Sequence, residues 1–446
     1  MVKLSGMLHR FNPVTVLLIG DFMRDVYTTG KVKRISPEAP VSVLHVQKEE
    51  SRPGGAGNVA LNCVSLGAKV IAVGRIGSDE AGNAIKEALE EEGVDVRLLI
   101  AQKGYKTPIK NRLIADAQQV LRVDFEELSP LPERLEEQIL MHLPPLLDQA
   151  NIIALSDYGK GFLSRTLIRA IIEQARAKGV AVIVDPKGED FSKYQGATMI
   201  KPNLQEAYTA AKRTTEAPLD EVASSIFQSC DADMLLVTRS EAGMSLFYKN
   251  GQSNHFPVRS KEVNDVTGAG DTVLAMISVA LGNHLEVKYG VQLANIAASM
   301  AIERLGCARI PFAQIAERLL EYDVENKIFE EEHLFALQQV LEGKRYTVLG
   351  IDSTLGMSTA LFRHLRTLSP SDSESKLIVY LYDNDPNEEF VSLLSSLAEV
   401  DFIVLKCESL KNLCEIIHPT EVYVMEGSAL VTLDHATALM SLSRNT

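Results

Sequence analysis

The sequence predicts an α/β protein built around a mostly parallel sheet, on three observations. Short runs rich in β-branched residues alternate with longer amphipathic stretches, a second such series begins near residue 340, and the chain has 446 residues. Alternation of strands and helices favours a parallel sheet with helices on both faces, with ligands bound at the carboxyl ends of the strands. A chain of this length usually forms two domains.

The elements of the first series follow one another in a regular order. Strands are predicted at residues 14–20, 70–77, 151–157, 180–185, 197–203 and 234–240. Helices are predicted between them, at residues 57–68, 79–93, 164–179 and 203–213. Two segments, 28–46 and 105–123, break this rhythm and are typical of short β-ribbons. We interpret them either as a small β-lid over the main sheet or as two ordinary edge hairpins.

The second series predicts a smaller α/β domain. Its strands are expected at 345–352, 377–385, 400–406 and 421–426, with helices from Met357, near 388–398 and near 409–417. The stretch at 310–335 is helical in pattern and acidic, so the boundary is placed there. We therefore expect a first domain at 1–325, a linker at 326–340 and a second domain at 341–446.

Composition and charge argue against several classes of function. Hydrophobic residues make up 46% of the chain, and the net charge of −14 disfavours nucleic-acid partners. No apolar stretch approaches the length of a membrane span, and residues 1–10 lack the apolar core of a signal peptide. We expect a cytoplasmic protein with no membrane partner. Five scattered cysteines without a C-x-x-C pair fit a reducing compartment and no metal site.

The segment N-D-V-T-G-A-G-D-T, residues 264–272, carries the strongest chemical signal. Its two glycines precede an apolar helix, so backbone amides and the positive end of the helix dipole can approach an anion. Phosphoryl transfer needs such a cradle, and it needs a carboxylate near the attacking hydroxyl. Asp271, in the first helical turn, is the candidate general base. An Asp there also stabilises a helix without any catalytic role.

Three further segments carry polar groups at strand ends. Asp21 follows the first strand, where a carboxylate can bind sugar hydroxyls, and Gly54, Gly55 and Asn58 can hold a sugar against the backbone. The same residues are also compatible with a turn and a helix cap. In the segment K-P-N-L-Q-E, residues 201–206, Asn and Glu three positions apart share a helix face, which is also a capping pattern.

Taken together, these segments resemble the signatures of the PfkB/ribokinase family of sugar kinases, above all D-V-T-G-A-G-D at 265–271. The resemblance implies a ribokinase-like fold, ATP as co-substrate and Mg²⁺ as cofactor. It implies that Asp271 is the catalytic base and that the backbone amides of Gly268, Ala269 and Gly270 form the anion hole. It implies a sugar site that includes Asp21, Gly54, Gly55 and Asn58.

The same resemblance implies a nucleotide site on the neighbouring strand ends. The residues it assigns are Asn203, Glu206, Thr238, Ser240, Gly243, Thr267 and Asn295. Glu206 would contact Mg²⁺ indirectly, through water. The β-lid suggests that two copies pair through their edges, so a homodimer is expected.

Four longer segments look like the heptose 7-phosphate kinase branch of this family, at residues 34–41, 52–58, 155–161 and 185–191. The resemblance implies phosphorylation of D-glycero-β-D-manno-heptose 7-phosphate at O1, a step that supplies ADP-heptose for lipopolysaccharide. A sugar phosphate requires cations beside its pocket. The candidates are Arg112, Arg122, Lys160 and Lys187, with Asp124 and Asp157 able to hold sugar hydroxyls or to pair with these cations; each cation is also compatible with solvated surface charge.

In many members of this branch a nucleotidyltransferase domain follows, with the motif N-G-x-F-D-x-x-H-x-G-H. The matching stretch here, residues 349–358, keeps Asp352 but has no histidine before His364. We therefore expect a Rossmann-like, catalytically inactive second domain.

Three alternatives to the heptose kinase stay open. They are a kinase for another sugar or sugar phosphate, a non-catalytic sugar or nucleotide sensor, and a bifunctional kinase–adenylyltransferase.

Overall fold

The computed structural model describes residues 11–433, except 117, 259–264, 305, 323–326, 331–333, 342–343, 370–374, 384–385, 406–408 and 428. Asn264, the first residue of the glycine-containing motif, lies outside this set. Within the described part of the chain, no helix is both long enough and apolar enough to cross a membrane.

The described residues form 19 strands and 13 helices. The strands are β1 (Thr15–Gly20), β2 (Phe22–Ile35), β3 (Ser42–Gly55), β4 (Lys69–Gly77), β5 (Asp95–Gln102), β6 (Ile109–Ala115), β7 (Gln118–Phe125), β8 (Ile152–Ser156), β9 (Ala181–Asp185), β10 (Met199–Ile200), β11 (Met234–Thr238), β12 (Met244–Tyr248), β13 (Ser253–Phe256), β14 (Ile328–Phe329), β15 (Arg345–Ile351), β16 (Ser375–Leu381), β17 (Phe402–Val404), β18 (Glu421–Glu426) and β19 (Ala429–Leu433). The helices are α1 (Ala56–Ser65), α2 (Glu80–Glu91), α3 (Glu133–Leu147), α4 (Arg165–Lys178), α5 (Leu204–Ala211), α6 (Leu219–Cys230), α7 (Ala269–Gly282), α8 (Val287–Ile302), α9 (Phe312–Tyr322), α10 (Leu334–Leu341), α11 (Thr359–Leu368), α12 (Glu388–Ser396) and α13 (Leu410–Ile417).

The chain divides into two compact units, Asn12–Phe312 and a second unit that contains Ala313–Thr446. The second unit begins before the boundary expected near residue 325, and the segment expected as a linker contains β14 and α10. Strand β14 pairs with β17, and Lys344 Nζ lies 3.1 Å from Glu317 Oε1. These contacts explain why α9 and β14 belong to the second unit.

The first unit is organised around a nine-stranded sheet in the order β13-β12-β11-β10-β9-β8-β1-β4-β5. All neighbouring pairs are parallel except β11–β12 and β12–β13, which are antiparallel. The central strand β1 is buried along nearly its whole length, because helices cover both faces. The sequence-based prediction of a mostly parallel α/β sheet is confirmed, although strands β5, β12 and β13 and helices α3 and α6 were not predicted.

A separate four-stranded sheet, in the order β3-β2-β6-β7, forms the lid. Its strands β2 and β3 are 14 residues each and longer than predicted, and two register shifts, at Thr29/Gly30 and Val32/Arg34, interrupt their pairing. This arrangement confirms the interpretation as a lid and contradicts the one as two ordinary edge hairpins.

The second unit contains a six-stranded sheet in the order β14-β17-β16-β15-β18-β19. Its pairs are parallel except β18–β19, and helices α10 and α13 pack with Tyr346 and Val348 of β15 in one apolar cluster. Leu361 and Leu365 of α11 pack with Leu349 in another. The predicted smaller α/β domain is therefore present.

Candidate active site

Asp271 lies in the first turn of α7, and its residue surface is only 4% exposed. The side-chain amide of Asn58 donates to Oδ2 at 2.7 Å, and the hydroxyl of Tyr158 donates to Oδ1 at 2.6 Å. Burial raises the pKa of Asp271, while these two hydrogen bonds oppose the increase. A carboxylate oxygen accepts more than one hydrogen bond, so Asp271 can still receive one from a substrate hydroxyl.

The turn before Asp271 is shaped to approach an anion. Gly268 has a left-handed φ of 80°, and a Cβ there would lie 2.9 Å from Asn58 Nδ2. Glycine is therefore required on both conformational and steric grounds. Helix α7 begins at Ala269. The first backbone amides of the helix have no partner within it, and they lie at the positive end of the helix dipole, where an anion is favoured.

Asp265 stabilises this turn by accepting hydrogen bonds at both of its carboxylate oxygens. Its Oδ1 accepts hydrogen bonds from the Thr267 amide at 2.9 Å and the Thr267 hydroxyl at 2.7 Å, and its Oδ2 accepts one from the Gly306 amide at 2.9 Å. Thr267, which was predicted to bind ATP, thus directs its side chain at Asp265 in this structure.

A cavity of about 630 Å³ opens beside the turn, large enough for a nucleotide. Most of the residues predicted to bind the nucleotide line this cavity, together with Ala269 and Gly270 of the turn before Asp271, which we call the anion turn. The predicted residues in the lining are Asn203, Glu206, Thr238, Ser240, Gly243 and Asn295. Apolar side chains complete its wall, among them Met244, Val258, Val266 and Ile302.

Asn295 offers an acceptor to this cavity. Its Nδ2 donates to the carbonyl of Pro257 at 2.9 Å, whereas its Oδ1 is buried and has no hydrogen-bond partner among the described atoms. Buried acceptors are normally paired, so this oxygen points to a ligand donor such as the amino group of adenine.

A buried ion pair that the sequence analysis did not assign lies at the same edge of the sheet. Lys201 follows β10 and Asp185 ends β9, with Nζ 3.0 Å from Oδ2. Burial raises the pKa of Asp185 to about 6, although Lys201 acts in the opposite direction. A Cβ on Gly270 would lie 3.6 Å from Lys201 Nζ, so this cation is beside the anion turn. The available signal was a lysine directly after a buried strand.

Asn203 and Glu206 form a capping box at the start of α5. Glu206 Oε2 accepts from the Asn203 amide at 3.1 Å, and Glu206 Oε1 is 2.7 Å from Lys187 Nζ. Both carboxylate oxygens are therefore engaged by protein groups, which favours an indirect contact with a metal over a direct one. Lys187 lines the nucleotide cavity, away from the sugar side where it was predicted.

Asp25, which the sequence analysis did not single out, lies beside Gly54 of the predicted sugar site. Its Oδ1 is 2.7 Å from Arg112 Nη1, and both side chains are at most 10% exposed. A Cβ on Gly54 would lie 2.2 Å from Asp25 Oδ2, so only glycine fits against that oxygen, whose other contact is with Cys307 Sγ at 3.8 Å. By contrast, Asp21 Oδ2 accepts the backbone amides of Tyr158 at 2.9 Å and Lys160 at 3.1 Å. Asp25 is thus better placed than Asp21 to bind a hydroxyl.

Lys110 of the lid lies beside Tyr158, and Lys160 and Arg122 lie near Lys110. Lys110 Nζ lies 5.2 Å from the Tyr158 ring centroid, and burial together with the charge of Lys160 lowers the pKa of Lys110. Lys160 pairs with Glu126 at 2.5 Å, and Arg122 pairs with Asp124 at 2.9 Å. Lys110 was not predicted, and its position on an alternating lid strand was the only signal.

Asp157 is engaged within the protein. Its Oδ2 lies 2.7 Å from both Lys193 Nζ and the Tyr194 hydroxyl, and its Oδ1 accepts the Gly159 amide. These bonds hold the loop that follows β8, so a direct contact of Asp157 with sugar would have to replace one of them.

Comparison with known proteins agrees with this site. Residues 15–313 match the pfkB family carbohydrate kinase profile. The chain belongs to the pfkB family of carbohydrate kinases. This kinase is 39% identical over 345 residues to the bifunctional protein HldE of Trichlorobacter lovleyi, covering 76% of this chain and 70% of that protein. It is 36% identical to HldE of Geobacter sulfurreducens, covering 91% of this chain and 86% of that protein, a match that extends into the second unit.

A solved structure of Arabidopsis thaliana ribokinase, complexed with ribose and ATP, shares the fold. Its TM-score is 0.55 at 18% identity, and the match covers 69% of this kinase and 99% of that chain. The prediction of a ribokinase-like sugar kinase is therefore confirmed.

In the second unit, the polar groups that follow the carboxyl end of β15 are hydrogen-bonded to one another. Asp383 Oδ1 accepts the Ser353 amide at 2.9 Å, its Oδ2 accepts the Ser353 hydroxyl, and that hydroxyl accepts the Asn387 amide at 3.0 Å. Asp352 accepts the amide and hydroxyl of Thr354. The first turn after β15 thus uses its polar groups internally.

Proposed function

We propose that this kinase transfers the γ-phosphoryl group of ATP to O1 of D-glycero-β-D-manno-heptose 7-phosphate, in the supply of ADP-heptose. The observation that carries this proposal is the position of Asp271. It adjoins the nucleotide cavity through Ala269 and Gly270, and Tyr158 connects it to Lys110 of the lid. The likeness to HldE proteins over most of the chain supports the heptose branch.

The chemistry follows from these positions. The oxygen of the sugar hydroxyl attacks the γ-phosphorus, Asp271 accepts the hydroxyl proton, and the bond from phosphorus to the ADP oxygen breaks. The amides of residues 268–270 and the ammonium of Lys201 face the charge that develops on the transferred group. Asp25 accepts a hydrogen bond from a second sugar hydroxyl.

Mg²⁺ is the proposed cofactor, and when bound it neutralises charge on the phosphates. Among the described residues, no three His, Cys, Asp or Glu side chains are grouped as a metal site. This fits an ion that is held mainly by phosphates and water, with one or two carboxylates nearby. Asp185 and Glu206, both in the lining of the cavity, would hold its water ligands.

The phosphate already on the sugar is proposed to bind Lys110, Lys160 and Arg122. Lys110 is partly desolvated beside another cation, which makes an anion a favourable neighbour. Lys160 and Arg122 pair with Glu126 and Asp124, whose side chains are each 26% exposed, so a phosphate could replace these carboxylates. Arg112 instead pairs with Asp25, which is only 6% exposed, and Lys187 lines the nucleotide cavity.

The protein is proposed to act as a homodimer in the cytoplasm. Large apolar side chains of the lid are more than half exposed, namely Ile35, Val41, Val46, Val120, Leu121 and Phe125, and a second lid would cover them. Cys63, Cys230 and Cys307 are buried thiols outside any disulfide, which fits a reducing compartment, where ATP is also available.

The second domain is proposed to be catalytically inactive, because residues 349–358 contain no histidine and its first turn is bonded internally. The test is to incubate the protein with ATP and heptose 1-phosphate and to look for ADP-heptose, with a bifunctional HldE protein as positive control. Formation of ADP-heptose would refute inactivity.

Kinase function is tested by ADP release with Mg·ATP and each of three sugars: D-glycero-D-manno-heptose 7-phosphate, ribose and fructose 6-phosphate. Selective turnover of the heptose phosphate is expected. Selective turnover of another sugar would overturn the substrate assignment, and no turnover would favour the sensor alternative.

A further inference from the structure

Tyr158 contacts the proposed base from the loop after β8, within the segment 155–161, where the sequence analysis gave it no role. Its hydroxyl donates to Asp271 Oδ1 at 2.6 Å, while Asn58 holds the other oxygen from α1. The carboxylate is therefore fixed from two elements. Asn58 belongs to the glycine-containing segment at residues 54–58, which was predicted to bind the sugar. No role has so far been assigned to Tyr158.

The loop that carries Tyr158 is anchored on both sides. Asp21 Oδ2 accepts the amides of Tyr158 and Lys160, and buried Arg75 donates to the Lys160 carbonyl at 2.9 Å. Arg75 is only 1% exposed, and Tyr105 stacks on its guanidinium at 4.1 Å. Arg75 also donates to the Pro130 carbonyl at 3.2 Å, and these hydrogen bonds offset the cost of burying its charge. Because they hold the backbone at Lys160, the position of Tyr158 is preorganised.

The ring of Tyr158 has little freedom to turn away. Lys110 Nζ lies above one face, and a Cβ on Gly55 would lie 3.4 Å from Cε2 of the ring. Burial raises the pKa of Tyr158 well above its ordinary value, and the charge of Asp271 adds to this. The phenol therefore stays protonated, and it carries a single hydrogen to donate.

We propose that Tyr158 is a positioning residue for phosphoryl transfer: its hydroxyl holds the Asp271 carboxylate in the orientation that accepts the proton of the attacking sugar hydroxyl. This inference rests on Asp271 being the base of the proposed function. It explains why Asp21 and Arg75, which do not reach the reacting atoms, are buried beside this loop. A carboxylate held by only one donor could rotate about its Cβ–Cγ bond, and the reactive geometry would be populated less.

The hydrogen bond also affects when the base is ionised. The charged or titratable groups that face Asp271 and Tyr158 are Lys201, Asp25, Asp185, Cys307 and Lys110. None of them changes in Tyr158→Phe, so the variant isolates one donor. Loss of a donor to a carboxylate disfavours its ionised form, and the base would then require a higher pH.

The experiment compares Tyr158→Phe with Tyr208→Phe. Tyr208 is a matched control, because its buried hydroxyl also makes one hydrogen bond, to the Ala217 carbonyl at 2.9 Å, within the core behind α5. Kinetics of ADP release with Mg·ATP and heptose 7-phosphate are measured across pH. In Tyr158→Phe, kcat should fall about 10- to 100-fold and the acid limb of kcat/KM should move up by about one pH unit, with KM for ATP changed less than about twofold. Tyr208→Phe should match the wild type.

A second measurement needs no sugar substrate. The carboxyl of Asp271 is titrated by ¹³C NMR in protein labelled at aspartate, with Asp271→Asn to assign the signal. Tyr158→Phe should raise this pKa by about one unit. An unchanged titration, or an unchanged kcat and acid limb, would overturn the positioning role. If the wild type shows no turnover while the titration shifts, the proposed function fails and the hydrogen bond that underlies this inference is confirmed.

Discussion

Lys201 and Asp185 form a buried ion pair at the edge of the nucleotide cavity, with Nζ 3.0 Å from Oδ2 and the lysine side chain 3% exposed. Breaking such a pair leaves one charge without compensation, which is strongly destabilising. The ammonium also lies beside Gly270 of the anion turn. The pair therefore connects the stability of β9 and β10 with the binding of phosphate.

The ionisation of Asp185 should make this sheet less stable as pH rises. Burial raises its pKa from 3.8 to about 6, so between these values the folded protein keeps a proton that the unfolded chain has released. The free energy of unfolding is highest below pH 3.8, the pKa of the carboxyl in the unfolded chain. It falls by roughly 3 kcal/mol as pH rises through about 6. Hydrogen exchange of β9 and β10 amides between about pH 4 and pH 7 measures this change.

In Asp185→Asn, the free energy of opening of β9 and β10, measured by hydrogen exchange, should fall between about pH 4 and pH 7 by roughly 3 kcal/mol less than in the wild type. Asp190→Asn is the control, because its side chain is 61% exposed and its contacts with Arg165 and the Ser192 amide lie at the surface. An equal pH dependence in the wild type and Asp185→Asn would show that Asp185 ionises normally.

Asp271→Asn should abolish most turnover while the fold remains. The amide keeps the shape of the carboxylate but cannot accept the hydroxyl proton, so kcat should fall about 10²- to 10⁴-fold. Because burial raises the pKa of Asp271, the wild-type kcat/KM should fall on the acid side as this group takes up a proton. Turnover of the variant is measured beside its melting temperature. Activity near that of the wild type would remove Asp271 from the role of base.

The fold and the nucleotide side followed from local patterns. Strand–helix alternation predicted the parallel sheet, and the D-V-T-G-A-G-D segment located the turn before α7. Asn203 and Glu206 were assigned to the nucleotide site by the family resemblance, and their spacing of three also predicted the helix start that they form. Such short-range relationships are visible in a sequence, since the chain itself sets the distance between the residues.

The sugar side was harder to predict because its groups meet across distant elements. Asp25 and Arg112 are 87 positions apart, and Tyr158 and Asp271 are 113 apart. Their proximity depends on how β2 pairs with β6 and on the loop after β8. A single sequence does not contain the register of those strands, so the proximity of Asp25 to Arg112 and of Lys110 to Tyr158 could not be predicted, and Lys187, expected beside the sugar, lines the nucleotide cavity.

Lys110→Ala should weaken binding of the phosphorylated sugar far more than binding of ATP. Removing a cation from a phosphate contact costs about 1.5–3 kcal/mol, so KM for heptose 7-phosphate should rise about 10- to 100-fold. Lys31→Ala is the matched control, because Lys31 is an exposed cation of the same lid, beside a second cavity lined by Arg52 and Arg112. If Lys31→Ala raises KM and Lys110→Ala does not, the phosphate binds in that second cavity instead.

The exposed apolar surface of the lid predicts how two copies associate. Leu121 and Phe125 lie on the edge strand β7 and are 54% and 59% exposed. An uncovered edge strand with such side chains tends to pair with another chain. The wild type should therefore be a dimer by light scattering, and Leu121→Glu/Phe125→Glu should be a monomer with its fold intact, because like charges would face each other. Met141→Glu is the control, since Met141 is 72% exposed on α3 outside the lid and should leave the dimer unchanged. A dimer that survives the double substitution would place the interface elsewhere, and a monomeric wild type would refute the homodimer.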